Sequence, residues 1–191
     1  MYVVGICGQT CAGKGKMVKG ITDNVENVTV IHQDSYYFTG NENTNYDIPE
    51  SIDFALLISH IKSLMKGDEI KCPIYCFKTH SRLNETRKIS SCKILVIEGI
   101  LIFSQKDLLD LINLKVYIST YPELAFSRRL KRDVEERGRT ISEVTERYFK
   151  DVLPSTKKYV EPSENFADII IPNNSFSFLG LGVLIGYLKE L

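Results

Sequence analysis

Nowhere does this chain of 191 residues offer an apolar run long enough to span a bilayer; the longest candidate, FSFLGLGVLIGYL at residues 176–188, is too short. It is read as a C-terminal helix packed on the core. The start runs straight into YVVGIC with no basic region and no cleavage site, so no secretory signal is expected. There is no excess of charge of either sign, since Lys plus Arg and Asp plus Glu are 24 each. A global attraction to nucleic acid or to a membrane surface is thereby excluded, and any anion site must be local. Cysteine is sparse and unpaired in pattern: Cys7, Cys11, Cys72, Cys76 and Cys92 form no C-x-x-C, and five is an odd count. That points away from a disulfide framework and towards reduced thiols in a cytoplasmic protein. Repeats, low-complexity tracts and linkers are absent as well.

What is present is a set of short Val- and Ile-rich runs, YVVGIC, VTVI, KILVI, LKVYI and ADIII. They do not alternate, which is how strands buried on both faces of a parallel sheet read. Helical patterns lie between them. Phe54, Leu57, Ile58, Ile61, Leu64 and Met65 make one helical stripe. Thr140 and Glu143 have the spacing of a capping box, so a helix is expected to start there. The alternation predicts one α/β domain over residues 1–191 with right-handed crossovers. Residues 68–92 break the alternation, and EIKCPIYCF followed by ETRKIS predicts a projecting β-hairpin.

GQTCAGKGK, residues 8–16, carries most of the phosphate-loop pattern G-x-x-x-x-G-K-[ST]. Gly8, Gly13 and Lys14 are in register; Gly15 stands where the hydroxyl belongs, and Lys16 follows. A strand precedes the loop and MVKGITDNV reads as a helix after it, the context the motif requires. Backbone N–H groups and a helix N-terminus favour an anion there, and Lys14 reaches the terminal phosphates. Asp34 follows VTVI and Glu98 follows KILVI, so both acids lie past the carboxyl ends of predicted strands, on the edge where open α/β sheets bind ligands. Glu98 suits Mg²⁺, directly or through water. Asp34 suits proton acceptance from a substrate hydroxyl, or it too holds the metal; each acid alone equally suits the capping of a turn. In SRRLKRDVEERGR, residues 127–139, Arg129 and Arg132 share a helix face, and Arg137 and Arg139 flank Gly138, where the helix should end. Two uses fit that composition: a phosphate clamp, or a solvated helix whose arginines pair with Asp133, Glu135 and Glu136.

HQDSYYF, NYDIPESIDF, PIYCFKTHSR, LVIEGIL, SRRLKRDVEERGR and FADIIIP, in this order and spacing, resemble the uridine/cytidine kinases. The resemblance runs from residue 3 to about 174, and R-x-x-R-D-x-x-E-R-G-R at 129–139 is its most specific part. It implies a P-loop kinase fold with a five-stranded parallel sheet, a substrate-binding hairpin and an arginine lid over 127–140. It implies phosphorylation of the 5′-hydroxyl of uridine or cytidine in pyrimidine salvage, with ATP or GTP as donor, Mg²⁺, and a homotetramer. By the same resemblance Asp34 is the catalytic base, Lys14 the loop lysine and Glu98 the acid of the Mg²⁺ shell. Asp47 and Arg129 bind the ribose hydroxyls, Tyr75, Phe77 and His80 surround the pyrimidine, and Arg132, Arg137 and Arg139 grip the ATP phosphates.

Four positions depart from that pattern. Gly15 and Lys16 replace hydroxyl residues in the loop, Cys76 stands where the hairpin usually has Asp, and Arg147 where a Gln often faces the base. Neither glycine nor an ammonium coordinates a cation, so the metal shell is weakened. Three readings are therefore carried forward: a uridine/cytidine kinase of reduced efficiency, a phosphotransferase for another riboside, and a nucleotide-binding protein acting by regulation or scaffolding.

Overall fold

A computed structural model describes residues 1–174 and 179–191. Five strands form one wholly parallel sheet in the order β2–β5–β1–β6–β7: β1 Tyr2–Cys7, β2 Val28–His32, β5 Ile94–Glu98, β6 Leu114–Ser119 and β7 Ile169–Pro172. All five are the runs anticipated from the sequence, to within two residues at any end. Alternate residues of each strand feed two cores. Val3, Cys7, Ile31, Leu95, Ile97 and Tyr117 face one side, packed with α2 (Phe54–Met65). Val4, Ile6, Ile94, Val96, Val116 and Ile118 face the other, packed with α1 (Lys14–Asn24) and the C-terminal helix Leu179–Lys189.

The α2 stripe docks through Phe54, Leu57, Ile61 and Leu64, all buried, each contributing about 1.5–3 kcal/mol of apolar burial. Asp53 caps it by accepting from the Leu56 N–H at 3.0 Å. Ile58 is only half-buried, and Met65, the last residue of the helix, is exposed.

Both-face burial fails for β7. Ile169 and Ile170 are exposed: β7 is an edge strand, Ile170 lies on the face opposite Ile171, and it is Ile171 that packs against Gly180 of the C-terminal helix. The C-terminal helix likewise buries Leu184 and Leu188 and leaves Leu179, Val183 and Tyr187 open, so it packs by one narrow stripe. Residues 176–178 of the stretch assigned to it lie outside the described residues. Gly20 inside α1 is explained by that packing: a Cβ there would meet the Leu181 side chain at 2.5 Å. Among the described residues no helix is long and apolar enough to cross a membrane.

The hairpin forms as β3 Ile70–Cys76 against β4 Ser81–Ile89, antiparallel, with an irregularity between Pro73 and Tyr75. A short α3 (Lys106–Leu109) precedes β6, and α4 (Pro122–Glu135) follows it. α4 ends before Gly138, which has φ 66°. α5 (Ile141–Arg147) starts at Thr140 with both bonds of the capping box present. All five cysteines are free thiols.

Candidate active site

Parallel pairing brings three chain segments to one edge. The register sets Glu98 at the end of β5 beside Ile6 of β1 and His32 of β2. The phosphate loop leaves β1 and a 3₁₀ turn at Gln33–Tyr36, carrying Asp34, leaves β2. A cavity of about 390 Å³ opens there, a volume ordinary for a small-molecule site. It is lined by Gly13, Lys14, Gly15, Asp34 and Glu98, by Asp47, Tyr75, Phe77 and His80, and by Arg129, Arg132, Arg137, Arg139 and Arg147. Every residue given a site role from the sequence except Gly8 therefore borders one space.

Gly8 has a different job. Its φ is 143° and a Cβ would meet the Ile118 carbonyl oxygen at 2.5 Å, so glycine is required where the loop crosses β6. Gly13 caps α1 in the left-handed region, with φ 107°. Gly15 is unlike both. It sits in the first turn of α1 with ordinary helical backbone, and a Cβ there would touch nothing. No steric demand of the fold explains its presence. Lys14 is buried and donates to the carbonyls of Gly8 at 3.0 Å and Gln9 at 3.1 Å, an ammonium held within its own loop.

The carboxylates differ in state. Burial alone would push Glu98 up, but the hydrogen bond with His32 Nδ1 at 2.9 Å and the charge of Lys14 outweigh it and hold its carboxyl below the ordinary value. Asp34 goes the other way. Loss of water and the neighbouring Glu98 charge push it up to about 6, against the pull of Lys14 and Arg137. Two neighbouring carboxyls thus have values driven apart by their surroundings. Asp47 is also raised, by burial, with Arg129 and Arg147 opposing. The hydrogen bonds that act on Glu98 have no counterpart at Asp34 or Asp47 among the described residues, so both face the cavity as free acceptors.

An aromatic wall lines the same cavity. Tyr46 stacks on His80 with centroids 5.6 Å apart at 14°, and Tyr75 lies edge-on to Phe77 at 5.3 Å and tilted to Tyr37 at 5.4 Å. His80 occupies the hairpin turn with φ 51°, and burial with Arg147 and Arg139 nearby lowers its pKa. Arg147 lies over the Tyr46 ring at 5.8 Å and donates from Nη2 to the Thr44 carbonyl at 2.5 Å. Arg137 lies over Phe77 at 5.0 Å, so hairpin and arginine segment touch.

Of the two uses open to the arginines, pairing holds for Asp133 alone. Arg129, Arg132, Arg137 and Arg139 all reach its carboxylate, while no ion pair joins them to Glu135 or Glu136 among the described residues. Arg129 also donates to Thr10 of the loop at 3.2 Å and makes no ion pair with Asp47. Sequence reasoning missed several supports. Tyr46 and Tyr37 complete the wall; His32 holds Glu98; Arg82 ties the hairpin to the Asp34 turn by donating to the carbonyls of Tyr36 (2.8 Å) and Tyr37 (2.9 Å) and to Asp53 (3.1 Å). Tyr37, Tyr46 and Arg82 lie inside the stretches that carry the family resemblance, which was the available signal.

Residues 21–177 match the model of the phosphoribulokinase/uridine kinase family; the loop at 8–16 precedes the matched span. The uridine kinase of Clostridium tetani (strain Massachusetts / E88) is 35% identical over 198 residues, covering 99% of this chain and 95% of its own. The uridine kinase of Clostridium perfringens (strain SM101 / Type A) is 36% identical over 197 residues, covering 98% and 95%. Among solved structures, D-glycerate 3-kinase from Cryptococcus neoformans superposes with a TM-score of 0.67 at 14% identity, covering 91% of this chain and 86% of its own. Shikimate kinase from Bacteroides thetaiotaomicron superposes with a TM-score of 0.57 at 13% identity, covering 99% and 97%. At such identities these structures speak for the fold alone.

Proposed function

Since the chain belongs to the phosphoribulokinase/uridine kinase family, we propose that it transfers the terminal phosphoryl group of ATP to the 5′-hydroxyl of uridine or cytidine, in the cytoplasm and as a homo-oligomer. One observation carries the reading. Two free carboxylates, Asp34 and Asp47, share a cavity lined by Lys14 and five arginines and by the rings of Tyr37, Tyr46, Tyr75, Phe77 and His80. A phosphate tail suits the cations and a flat base suits the rings. Asp47 then accepts from the ribose hydroxyls, with Arg129 beside it. Asp34 accepts the proton of the 5′-hydroxyl as its oxygen attacks; a group with pKa about 6 is both ionised at neutral pH and basic enough for that task. Lys14 exchanges its loop carbonyls for phosphate oxygens. The forks of Arg132, Arg137 and Arg139 neutralise charge that spreads over the transferred group.

The donor set fits Mg²⁺ held chiefly by a nucleotide. Among the described residues no cluster of three or more His, Cys, Asp or Glu forms a cage. Glu98, kept ionised by His32 and Lys14, offers a hard oxygen, and phosphate oxygens with water supply the remaining positions, as Mg²⁺ commonly accepts. The ion supplies charge neutralisation of the phosphates when bound. Gly15 offers no hydroxyl to it, so turnover is reduced in this reading. A second reading, a different riboside, rests on Arg147, whose guanidinium lies on Tyr46 in the base slot.

A coupled ADP-release assay with ATP, Mg²⁺ and a panel of ribosides tests this. Uridine or cytidine is expected to give the highest kcat/KM. A clear preference for another riboside moves the second reading ahead. Binding of ATP with no turnover of any riboside sinks both in favour of a regulatory nucleotide-binding role.

A further inference from the structure

Asp133 is the one acid of the arginine segment that points inward. Its side chain is fully buried on α4, and four guanidiniums converge on it. Arg132 donates from Nε to Oδ1 at 2.8 Å, and its Nη2 lies 2.8 Å from the same oxygen. Arg137 Nη1 lies 3.3 Å from Oδ1, Arg129 Nε 3.5 Å from Oδ2 and Arg139 Nη1 3.8 Å from Oδ2. The backbone closes the same ring, since the Arg139 N–H donates to the Asp133 carbonyl at 3.1 Å. One negative charge thus faces four positive ones in a place poor in water. The arrangement is also unfinished: Asp133 Oδ2 and Arg129 Nε have no hydrogen-bond partner although both are buried. Four clustered cations with a single counter-charge repel one another, and only an anchor at their centre keeps their forks turned to one space.

We propose that Asp133 is the positioning residue of the phosphate clamp. It gathers Arg132, Arg137 and Arg139 at the mouth of the cavity and joins them to Arg129, which is bonded to Thr10 of the loop, leaving an excess of positive charge for a polyphosphate. The proposal deepens the nucleoside kinase reading and rests on it for the identity of the polyphosphate as that of ATP. It attributes no contact with ATP to Asp133 itself; the carboxylate acts through the arginines.

The sign of one binding change separates positioning from simple charge balance. Asp133→Asn keeps the shape and removes the negative charge. If Asp133 only offset positive charge, the variant would present a more positive cavity and bind ATP more tightly. If Asp133 positions the forks, ATP binds more weakly, by about 10- to 100-fold, the scale of losing an organised charged hydrogen bond. Calorimetric titration of ATP without riboside reads this directly, with circular dichroism as the control for folding. Riboside affinity is expected to fall by less than ATP affinity, since of the four arginines only Arg129 is also placed beside the ribose. Asp133→Glu keeps the charge and displaces it by one methylene; it is expected to weaken ATP by about 3- to 10-fold, and it stands alone as the test if the Asn variant does not fold. Unchanged or tighter ATP binding in either folded variant overturns the proposal. Weaker ATP binding in a protein that binds no riboside in any form would uphold Asp133 and sink the nucleoside kinase reading instead.

Discussion

Asp34→Asn should damage catalysis and strengthen the fold together. The unfolded chain releases the Asp34 proton near the ordinary value of 3.8, the folded chain near 6. Between those two pH values the folded state holds a proton that the unfolded state has lost, so stability falls as pH rises through the window and is level above it. A difference of about 2 in pKa corresponds to about 3 kcal/mol at neutral pH. The cavity admits water, and removing Asp34 also removes its attraction for Lys14, so a net gain of about 1–3 kcal/mol is expected from the Asn variant. For a chain of this length that is roughly 3–10 °C in Tm. Thermal melts of both proteins from pH 4 to 8 should coincide at pH 4 and separate by pH 7. In the same variant kcat should fall about 10²- to 10⁴-fold with riboside affinity little changed. The unaltered enzyme should lose kcat/KM about tenfold per pH unit below 6. Equal melting temperatures at pH 7.5, or near-normal kcat, would refute the assignment of a desolvated base at this position.

The remaining tests address the loop and the pocket. Gly15→Ser meets no obstruction and sits in helical backbone; it should raise kcat about tenfold, lower the half-saturating Mg²⁺ concentration, and stabilise the fold by about 0.5 kcal/mol. Unchanged Mg²⁺ titrations would show that the missing hydroxyl does not limit the enzyme. Deoxyuridine should be a poorer substrate than uridine by about 5- to 150-fold in kcat/KM, since Asp47 loses one of two donors; equal values would move Asp47 away from the ribose. Arg147→Gln should lower KM for uridine about 3- to 10-fold with kcat held, because a long cation leaves the base slot. A higher KM would make Arg147 a substrate ligand rather than an obstruction.

Much of the site was legible because strand ends carry it. A parallel sheet puts the residues after β1, β2 and β5 on one edge, so Lys14, Asp34 and Glu98 could be joined from hydrophobic runs alone. What the runs do not encode is direction within a helix or across a hairpin. Arg129, Arg132, Asp133 and Glu136 share a face by periodicity, yet nothing in the spacing says that Asp133 is buried while Glu136 is exposed. His32 could not be separated from an ordinary strand-end histidine until the β2–β5 register set it against Glu98. The exposed faces of β7 and the C-terminal helix were equally hidden, because an apolar run reads the same at an edge as in the middle of a sheet.

Overall charge concealed the site most completely. The chain is neutral, 24 cationic side chains against 24 acidic, and that balance excluded any strong field from the molecule as a whole. Yet Lys14 and five arginines line one cavity with only Asp34, Asp47 and Glu98 among the lining acids. Each of those acids has a separate proposed task in proton transfer, ribose binding or metal binding, which leaves Asp133 behind the wall as the counter-charge dedicated to the clamp. A neutral protein can hold an anion site of this strength only by concentrating cations that would repel one another without an anchor. The folded ring of arginines therefore implies a buried acid at its centre, and the sequence supplies one at the only position in the segment that is fully buried and acidic.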